Sequence, residues 1–174
     1  MPSFVFSTAF GPCGVAWNDA GLTAFGLPEA DVEAVERRLG VHGERIEAED
    51  GLPAWLPPVI ARVQAHFAGR MQDFADVPLD WARVSAFQQS VYRQTLAIKP
   101  GYKKSYGEIA HLLGAGNEIA RAVGVALGAN PWPLIVPCHR VVSASDKMTG
   151  FSGPGGIRTK TRLLALEGAE LLSE

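Results

Sequence analysis

At residues 130–142 the chain reads Asn130-Pro131-Trp132-Pro133-Leu134-Ile135-Val136-Pro137-Cys138-His139-Arg140-Val141-Val142, which places a thiol beside an imidazole in an apolar run interrupted by prolines. Cysteine attacks as the thiolate, and a neighbouring histidine commonly lowers its pKa, so we expect a depressed pKa at Cys138. Leu134 to Val136 predict a short buried strand, which Pro137 ends because proline has no backbone N–H. The competing interpretation is an ordinary buried cysteine, because free cysteine is among the most buried residue types.

The composition is that of a globular protein. With 174 residues and 47% apolar content, the chain can form one ordinary domain or two small ones around a packed core. Its two cysteines, Cys13 and Cys138, lie far apart without a C-x-x-C pair, which predicts no disulfide, no zinc site and a reducing, cytoplasmic location. No window approaches the roughly 18 apolar residues of a spanning helix, so we expect no membrane association.

Charge is distributed unevenly along the chain. Residues 1–81 carry five Lys/Arg and twelve Asp/Glu, whereas residues 82–174 carry eleven and six, giving net charges of −7 and +5. A basic second half suggests that this half faces a polyanion. A chance distribution of surface charge would give the same numbers, so the charge asymmetry indicates a polyanionic partner only together with a binding motif.

The first half predicts a small α/β unit. Residues 3–10, 14–17 and 22–27 are rich in β-branched and aromatic residues and are separated by turn clusters, which predicts about three strands in a meander. Apolar spacing predicts one helix from Asp31 to Leu39 and another from Val59 to Phe67, with a loop over residues 40–58. We interpret Cys13 as structural, His42 as a solvated surface histidine in that loop, and His66 as lying off the apolar face of the second helix.

The second half predicts a helix-turn-helix. Ser85 to Leu96 has helical spacing, and Ser105 and Glu108 have the spacing of a capping box before a short helix that stops at Gly114. A second short helix follows from about Glu118 to Leu127, and in a helix-turn-helix this second helix usually enters a groove of DNA. Helical hairpins without DNA are also common, so the motif alone does not decide the function.

The second of these helices is unusually thin. It carries small residues at alternate positions, and Arg121 is the long side chain near its start; the small residues are Ala120, Ala122, Gly124 and Ala126. A thin helix can approach a narrow groove, where a single arginine can insert between bases. Lysines before the motif are placed to hold phosphates without reading sequence, together with two further basic residues: Lys103, Lys104, Arg93 and Lys99.

Several motifs occur in the order and spacing of one known family. They are Ser105-Tyr106-Gly107-x-Ile109-Ala110, Arg121-Ala122-Val123-Gly124, Asn130-Pro131, Pro137-Cys138-His139-Arg140-Val141, Gly150-Phe151-Ser152 and Leu163-Leu164-Ala165-Leu166-Glu167-Gly168. On these motifs the chain resembles the O6-alkylguanine-DNA alkyltransferases over roughly residues 83–170. The resemblance implies a single-turnover repair protein that moves an alkyl group from O6 of guanine, or from O4 of thymine as a second candidate, onto its own cysteine.

The resemblance also implies roles for individual residues. Cys138 matches the alkyl acceptor, His139 the residue that takes the thiol proton through a water, and Glu167 the acid that orients the imidazole. Asn130 matches the residue that braces the helix-to-strand turn, and Tyr106 matches the tyrosine that helps to rotate the nucleotide and can donate to the departing purine.

A second set of residues is implied for DNA and for the base. Arg121 matches the side chain that fills the gap left in the base stack, and the predicted DNA contacts are completed by Ala122, Lys103, Lys104, Arg140 and Tyr106. In the pocket, the carbonyls of Cys138 and Val141 match acceptors for the exocyclic amine, and Ser152 matches a residue near the alkylated oxygen. Phe151 stands where many members have tyrosine. The metal ligands that some members carry in the first half have no counterpart, so we expect no metal and no cofactor.

The sequence therefore predicts an α/β (α+β) protein with two subdomains. Residues 1–81 are expected to form a strand-rich support, packed on a mostly helical, winged-helix-like domain at residues 82–174 that binds double-stranded DNA and carries the acceptor thiol. We expect a monomer. Two other functions are alternatives: a damage sensor of the alkyltransferase-like kind that binds alkylated DNA without transfer, and a Cys-His hydrolase or regulator with a sensing thiol.

Overall fold

The computed structural model describes residues 1–40, 43–144 and 156–169. The chain divides into two compact units, Met1–Gln72 with Asp76–Asp80, and Asp73–Ala75 with Trp81–Glu174. The strands are β1 (Ser3–Thr8), β2 (Gly11–Asn18), β3 (Gly21–Gly26), β4 (Lys104–Ser105) and β5 (Val141–Val142). The helices are α1 (Val32–Leu39), α2 (Leu56–Phe67), α3 (Ala86–Leu96), α4 (Tyr106–Leu112), α5 (Ala120–Gly128) and α6 (Ile157–Leu166). The predicted α+β class is confirmed.

The first unit is built on an antiparallel meander in the order β1-β2-β3. The chain reverses between β2 and β3 through a turn in which Asn18 Oδ1 accepts the Ala20 N–H at 2.9 Å. Helix α1 packs on the sheet where the strands carry glycine, because a Cβ on Gly14 would lie 2.6 Å from Val35 Cγ1. Asp31 caps α1 by accepting the Ala34 N–H at 2.8 Å.

Helix α2 corrects two predictions about the first unit. It begins at Leu56, so the predicted loop over residues 40–58 runs too far, because Pro57 and Pro58 occupy the first turn, where proline costs no hydrogen bond. His66 is fully buried, and its Nδ1 accepts the Gln72 N–H at 3.1 Å, so it is a core residue of the unit rather than an off-face one. His42 lies outside the described residues.

The second unit holds the helix-turn-helix. A capping box starts α3, since Ser85 Oγ accepts the Gln88 N–H and the Gln88 side chain accepts the Ser85 N–H. Ser105 caps α4, and a 3₁₀ turn at Asn117–Ile119 leads into α5, so the predicted pair of short helices is confirmed. The buried Tyr92 hydroxyl donates to the Ala126 carbonyl at 2.5 Å and thereby ties α3 to α5.

A two-stranded parallel pair connects this motif to the thiol segment. Lys104 is paired with Val141 and Ser105 with Val142, so the strand entering α4 lies beside the strand that leaves Cys138.

The rings of Trp81 and Tyr92 both pack edge-on against the buried Trp132. Within the described part of the chain, no helix is long and apolar enough to cross a membrane.

Candidate active site

Cys138 lies where a tight turn becomes a 3₁₀ helix. The predicted strand over Leu134 to Val136 is wrong: Pro133 and Val136 form an isolated bridge, and the chain turns between them. Leu134 has a φ of 76°, a left-handed conformation that is held by burial of its side chain. The 3₁₀ helix Cys138–Arg140 follows, and Cys138, its first residue, is buried.

Asn130 holds this turn from its side chain. Its Nδ2 donates to the Val136 carbonyl at 2.9 Å, and its Oδ1 accepts the Trp132 N–H at 2.9 Å. The same amide is a hydrogen-bond partner of the Cys138 thiol. Asn130 therefore fixes the path of the turn and also interacts with the Cys138 thiol.

The environment of Cys138 raises the pKa of its thiol, which corrects the expectation of a depressed pKa. Burial is the largest cause, because it disfavours the charged thiolate. The hydrogen bond from Asn130, the positive charge of Lys160 and backbone N–H groups of the turn act in the opposite direction. The resting thiol is thus protonated, and its neighbours are groups that favour the thiolate.

Behind the thiol lies a buried network of one imidazole, one carboxylate and one guanidinium. His139 Nε2 is 2.9 Å from Glu167 Oε1, and both side chains are fully buried. Because a carboxylate only accepts, Nε2 carries the proton and Nδ1 carries the basic lone pair. The contact pairs residues 28 positions apart in the sequence, and together with the adjacent Cys138 they supply the residue types of a Cys-His-acid set used for nucleophilic attack.

Arg140 belongs to this network and not to a surface. Its Nε donates to Glu167 Oε1 at 2.9 Å and its Nη2 donates to Oε2 at 2.7 Å, while Nη1 donates to the Ile98 carbonyl at 2.6 Å. The residue is only 4% exposed. The prediction that Arg140 contacts DNA is therefore wrong, because its guanidinium is buried and hydrogen-bonded inside the domain.

Lys160 is a site residue that the sequence-based predictions do not include. It is 1% exposed, and its Nζ donates to the Val141 carbonyl at 2.8 Å and lies 5.8 Å from the centre of the Tyr106 ring. Its positive charge favours the Cys138 thiolate. The available signal was its spacing: Lys160, Leu163 and Leu164 share the apolar face of α6, where a lysine needs a buried partner.

Helix α5 presents an exposed face beside Tyr106. Arg121, Ala122 and Val125 are all exposed on this helix. Gly124 faces the Tyr106 ring, since a Cβ there would lie 3.7 Å from Cε1. A groove of about 560 Å³ runs between α3 and α5 and includes both Arg121 and Ala122 in its wall. The thin helix thus offers one long cation beside small side chains, as the sequence predicted.

The predicted phosphate-binding residues differ in their surroundings. Lys103 and Lys104 are half-buried at the start of the parallel pair. Lys99 pairs with Asp73, and Arg93 lies over the Trp81 ring at 4.4 Å from its centre. Val141 is fully buried in β5, whereas Phe151 and Ser152 lie outside the described residues. In the described ranges, no cluster of three or more His, Cys, Asp or Glu side chains has the arrangement of a metal site.

The fold and the site define a helix-turn-helix domain built around a buried thiol with a histidine and an acid behind it. Residues 86–169 match the family described as 6-O-methylguanine DNA methyltransferase, DNA binding domain. A methylated-DNA–protein-cysteine methyltransferase of Methanosarcina acetivorans is 33% identical over 165 residues, covering 95% of this chain and 97% of the relative. The protein of the same name from Mycobacterium tuberculosis (H37Rv) is 48% identical over 115 residues, covering 66% and 67%.

A solved structure extends the similarity to the whole chain. The crystal structure of Mycobacterium tuberculosis OGT in complex with DNA is similar with a TM-score of 0.76 at 36% identity, covering 96% of this chain and 93% of that chain. The chain belongs to the family of methylated-DNA–protein-cysteine methyltransferases.

Proposed function

We propose that this protein repairs DNA by direct reversal, moving a methyl or larger alkyl group from O6 of guanine to the sulfur of Cys138 in a single turnover. O4 of thymine is a second candidate substrate. The observation that carries the proposal is the buried Cys138-His139-Glu167 arrangement, with His139 Nε2 held 2.9 Å from the acid at the edge of a helix-turn-helix domain. Membership of the methylated-DNA–protein-cysteine methyltransferases supports the same reaction.

The proposed chemistry balances without a cofactor. His139 takes the proton of the Cys138 thiol at Nδ1 through a water, and the thiolate attacks the alkyl carbon as the bond from that carbon to O6 breaks. The electron pair of that bond stays on the guanine, and the one proton that the guanine gains balances the proton that left the Cys138 thiol. The products are S-alkylcysteine and guanine, and the sulfur is consumed because water does not displace a thiolate from the alkyl carbon of a thioether.

Tyr106 and Lys160 are placed to serve the departing base. In our proposal, Tyr106 helps to rotate the nucleotide and its hydroxyl donates to the purine, and the Lys160 ammonium lies 5.8 Å from the centre of its ring. The Val141 carbonyl accepts from Lys160 through one lone pair and keeps the second for the exocyclic amine of the base. Phe151 and Ser152 remain proposed pocket residues on the strength of the family motif alone.

Duplex DNA hides O6 in the stack, so the nucleotide must be turned out at a cost of a few kcal/mol. We propose that α5 enters the groove, that Arg121 fills the gap and that Ala122 allows close approach, because both side chains are exposed on the same helix. Lys103 and Lys104 would hold phosphates without reading sequence, so binding should fall with salt. We also propose a monomer that acts in the cytoplasm, with residues 1–81 as support.

The deciding experiment is the mass of the intact protein before and after mixing with a stoichiometric duplex that carries one O6-methylguanine, followed by peptide mapping. The expected result is a gain of one methylene unit on Cys138 that stops at one per protein. A lesion that stays bound without a mass gain would indicate a damage sensor. Turnover beyond one event per protein would indicate a hydrolase. The Cys138→Ala variant should bind the duplex and gain no mass.

A further inference from the structure

The buried network behind Cys138 contains more charge than orientation of a histidine requires. One carboxylate would suffice to hold His139 Nε2, yet Glu167 also receives two hydrogen bonds from Arg140, one on each oxygen. Glu167 is the C-cap residue of α6, where the helix dipole disfavours an anion. The carboxylate therefore needs a cation to stay ionised in the interior.

The guanidinium acts on His139 through the acid that they share. A buried carboxylate alone would favour the protonated imidazole, because an opposite charge within hydrogen-bond distance stabilises the charged form. A protonated imidazole has no lone pair for the thiol proton. The positive charge of Arg140 offsets the negative charge of Glu167, so the pair as seen from His139 is close to neutral.

We propose that Arg140 is a positioning residue for the transfer reaction, which fixes Glu167 against His139 and balances its charge so that the imidazole stays neutral until it accepts the Cys138 proton. This inference rests on the proposed function. The third hydrogen bond, to the Ile98 carbonyl, anchors the guanidinium beyond the end of α3. Three separate parts of the second unit thereby hold the geometry of one acid.

Other charged groups near the network do not replace Arg140. Lys160 on α6 is directed at the Val141 carbonyl and acts on the Cys138 thiol. The charge of Arg140 contributes to lowering the pKa of Asp73, but the principal partner of Asp73 is Lys99. Tyr92 is buried beside the thiol and donates to the Ala126 carbonyl. Arg140 donates hydrogen bonds to both carboxylate oxygens of Glu167.

The test is the pH dependence of single-turnover methyl transfer from an O6-methylguanine duplex to wild type and four variants. Arg140→Met should move the acid limb of the profile to higher pH by roughly one to three units, because the acid then holds the imidazole protonated. Arg140→Lys keeps the positive charge but not the two-pronged hydrogen bonding of the guanidinium. The acid limb should therefore return most of the way to its wild-type pH, while the plateau rate stays low. Glu167→Gln should move the limb to lower pH, and the double variant Arg140→Met/Glu167→Gln should return it towards wild type.

A control and a second readout make the outcome decisive. Arg62→Met removes an Arg–carboxylate pair of similar geometry, Arg62 with the exposed Asp76, and should leave the profile unchanged. The ring of His139, assigned by loss of its signal in His139→Gln, should titrate at higher pH in Arg140→Met by NMR. If Arg140→Met does not fold, the double variant and Arg140→Lys carry the comparison.

An acid limb and a His139 titration that both stay at their wild-type pH in Arg140→Met, with only the plateau lowered, would overturn the inference. Failure of wild type to transfer any methyl group to Cys138 would instead overturn the proposed function, and the His139 titration would still report the charge balance.

Discussion

Asn130→Ala removes the amide that joins the turn to the thiol. Besides the hydrogen bond to the Cys138 thiol, the variant loses two hydrogen bonds with the backbone, one to the Val136 carbonyl and one from the Trp132 N–H. At a net 0.5–1.5 kcal/mol each, the loss in free energy of unfolding is about 1–3 kcal/mol. The Val136 carbonyl still accepts the Cys138 N–H at 2.7 Å, so losing the Asn130 donor should cost about 0.5 kcal/mol. Loss of the acceptor for the Trp132 N–H adds about 1 kcal/mol, and we expect about 1.5 kcal/mol in total.

The same substitution should slow alkyl transfer. The Asn130 side chain lowers the pKa of the Cys138 thiol against the larger effect of burial, so its removal raises that pKa further. The thiolate then forms less readily at a given pH, and the rate of methyl transfer should fall and recover as the pH is raised. Urea unfolding followed by tryptophan fluorescence gives the stability, and single-turnover methyl transfer at several pH values gives the rate.

Asn130→Asp separates the two effects. The carboxylate keeps an acceptor for the Trp132 N–H but cannot donate to Val136, and its negative charge opposes the thiolate. It should therefore be more stable than Asn130→Ala at neutral pH and yet transfer methyl more slowly. A stability for Asn130→Ala within about 0.5 kcal/mol of wild type, or a wild-type rate for Asn130→Asp, would refute this account of the turn.

Three further predictions test other parts of the chain. Burial raises the pKa of Cys13 to about 12, above its value in the unfolded chain, so the stability that it contributes is present below pH 9 and lost as pH rises. Between pH 8 and 10.5 the free energy of unfolding, measured in urea, should therefore fall by about 2 kcal/mol more in wild type than in Cys13→Ala. Gly124→Ala should raise the free energy of unfolding by about 0.5–1 kcal/mol, because the new methyl makes an ordinary contact with the Tyr106 ring, and thermal destabilisation would contradict this. Arg121→Ala should weaken repair of duplex DNA more than reaction with free O6-benzylguanine, and equal losses on both substrates would exclude a role in filling the stack.

Local signals were sufficient for most elements of the fold. The caps at Asp31 and Ser105 act over three residues, so the starts of α1 and α4 could be read from the sequence. The start of α2 was misplaced because two consecutive prolines resemble a loop, although the first turn of a helix tolerates them. The strand predicted at Leu134 failed for a different reason, since an apolar run does not distinguish a strand from a buried turn.

The site required information that spacing does not contain. His139 and Glu167 meet only because the chain brings α6 back to the 3₁₀ helix, and the family resemblance supplied that pair. Arg140 was misassigned because an arginine beside a DNA-facing motif suggests phosphate, whereas its partner is the same distant acid. Lys160 is predictable in part, because a lysine on an apolar helix face indicates a buried acceptor. The structure then shows which acceptor it is.

The two cysteines show what makes one thiol an acceptor and the other a core residue. Both are buried and both have a raised pKa, but only Cys138 is surrounded by an amide donor, an ammonium and backbone N–H groups that favour the thiolate. A sulfur that is consumed by its first reaction benefits from staying protonated until the damaged base arrives, because the thiolate is the reactive form. Iodoacetamide should therefore label Cys138 in the native protein more slowly than free cysteine at pH 7, with a rate that rises with pH. Cys13 should be labelled only after unfolding, and labelling of Cys138 at the rate of free cysteine would show that the resting thiol is not protected.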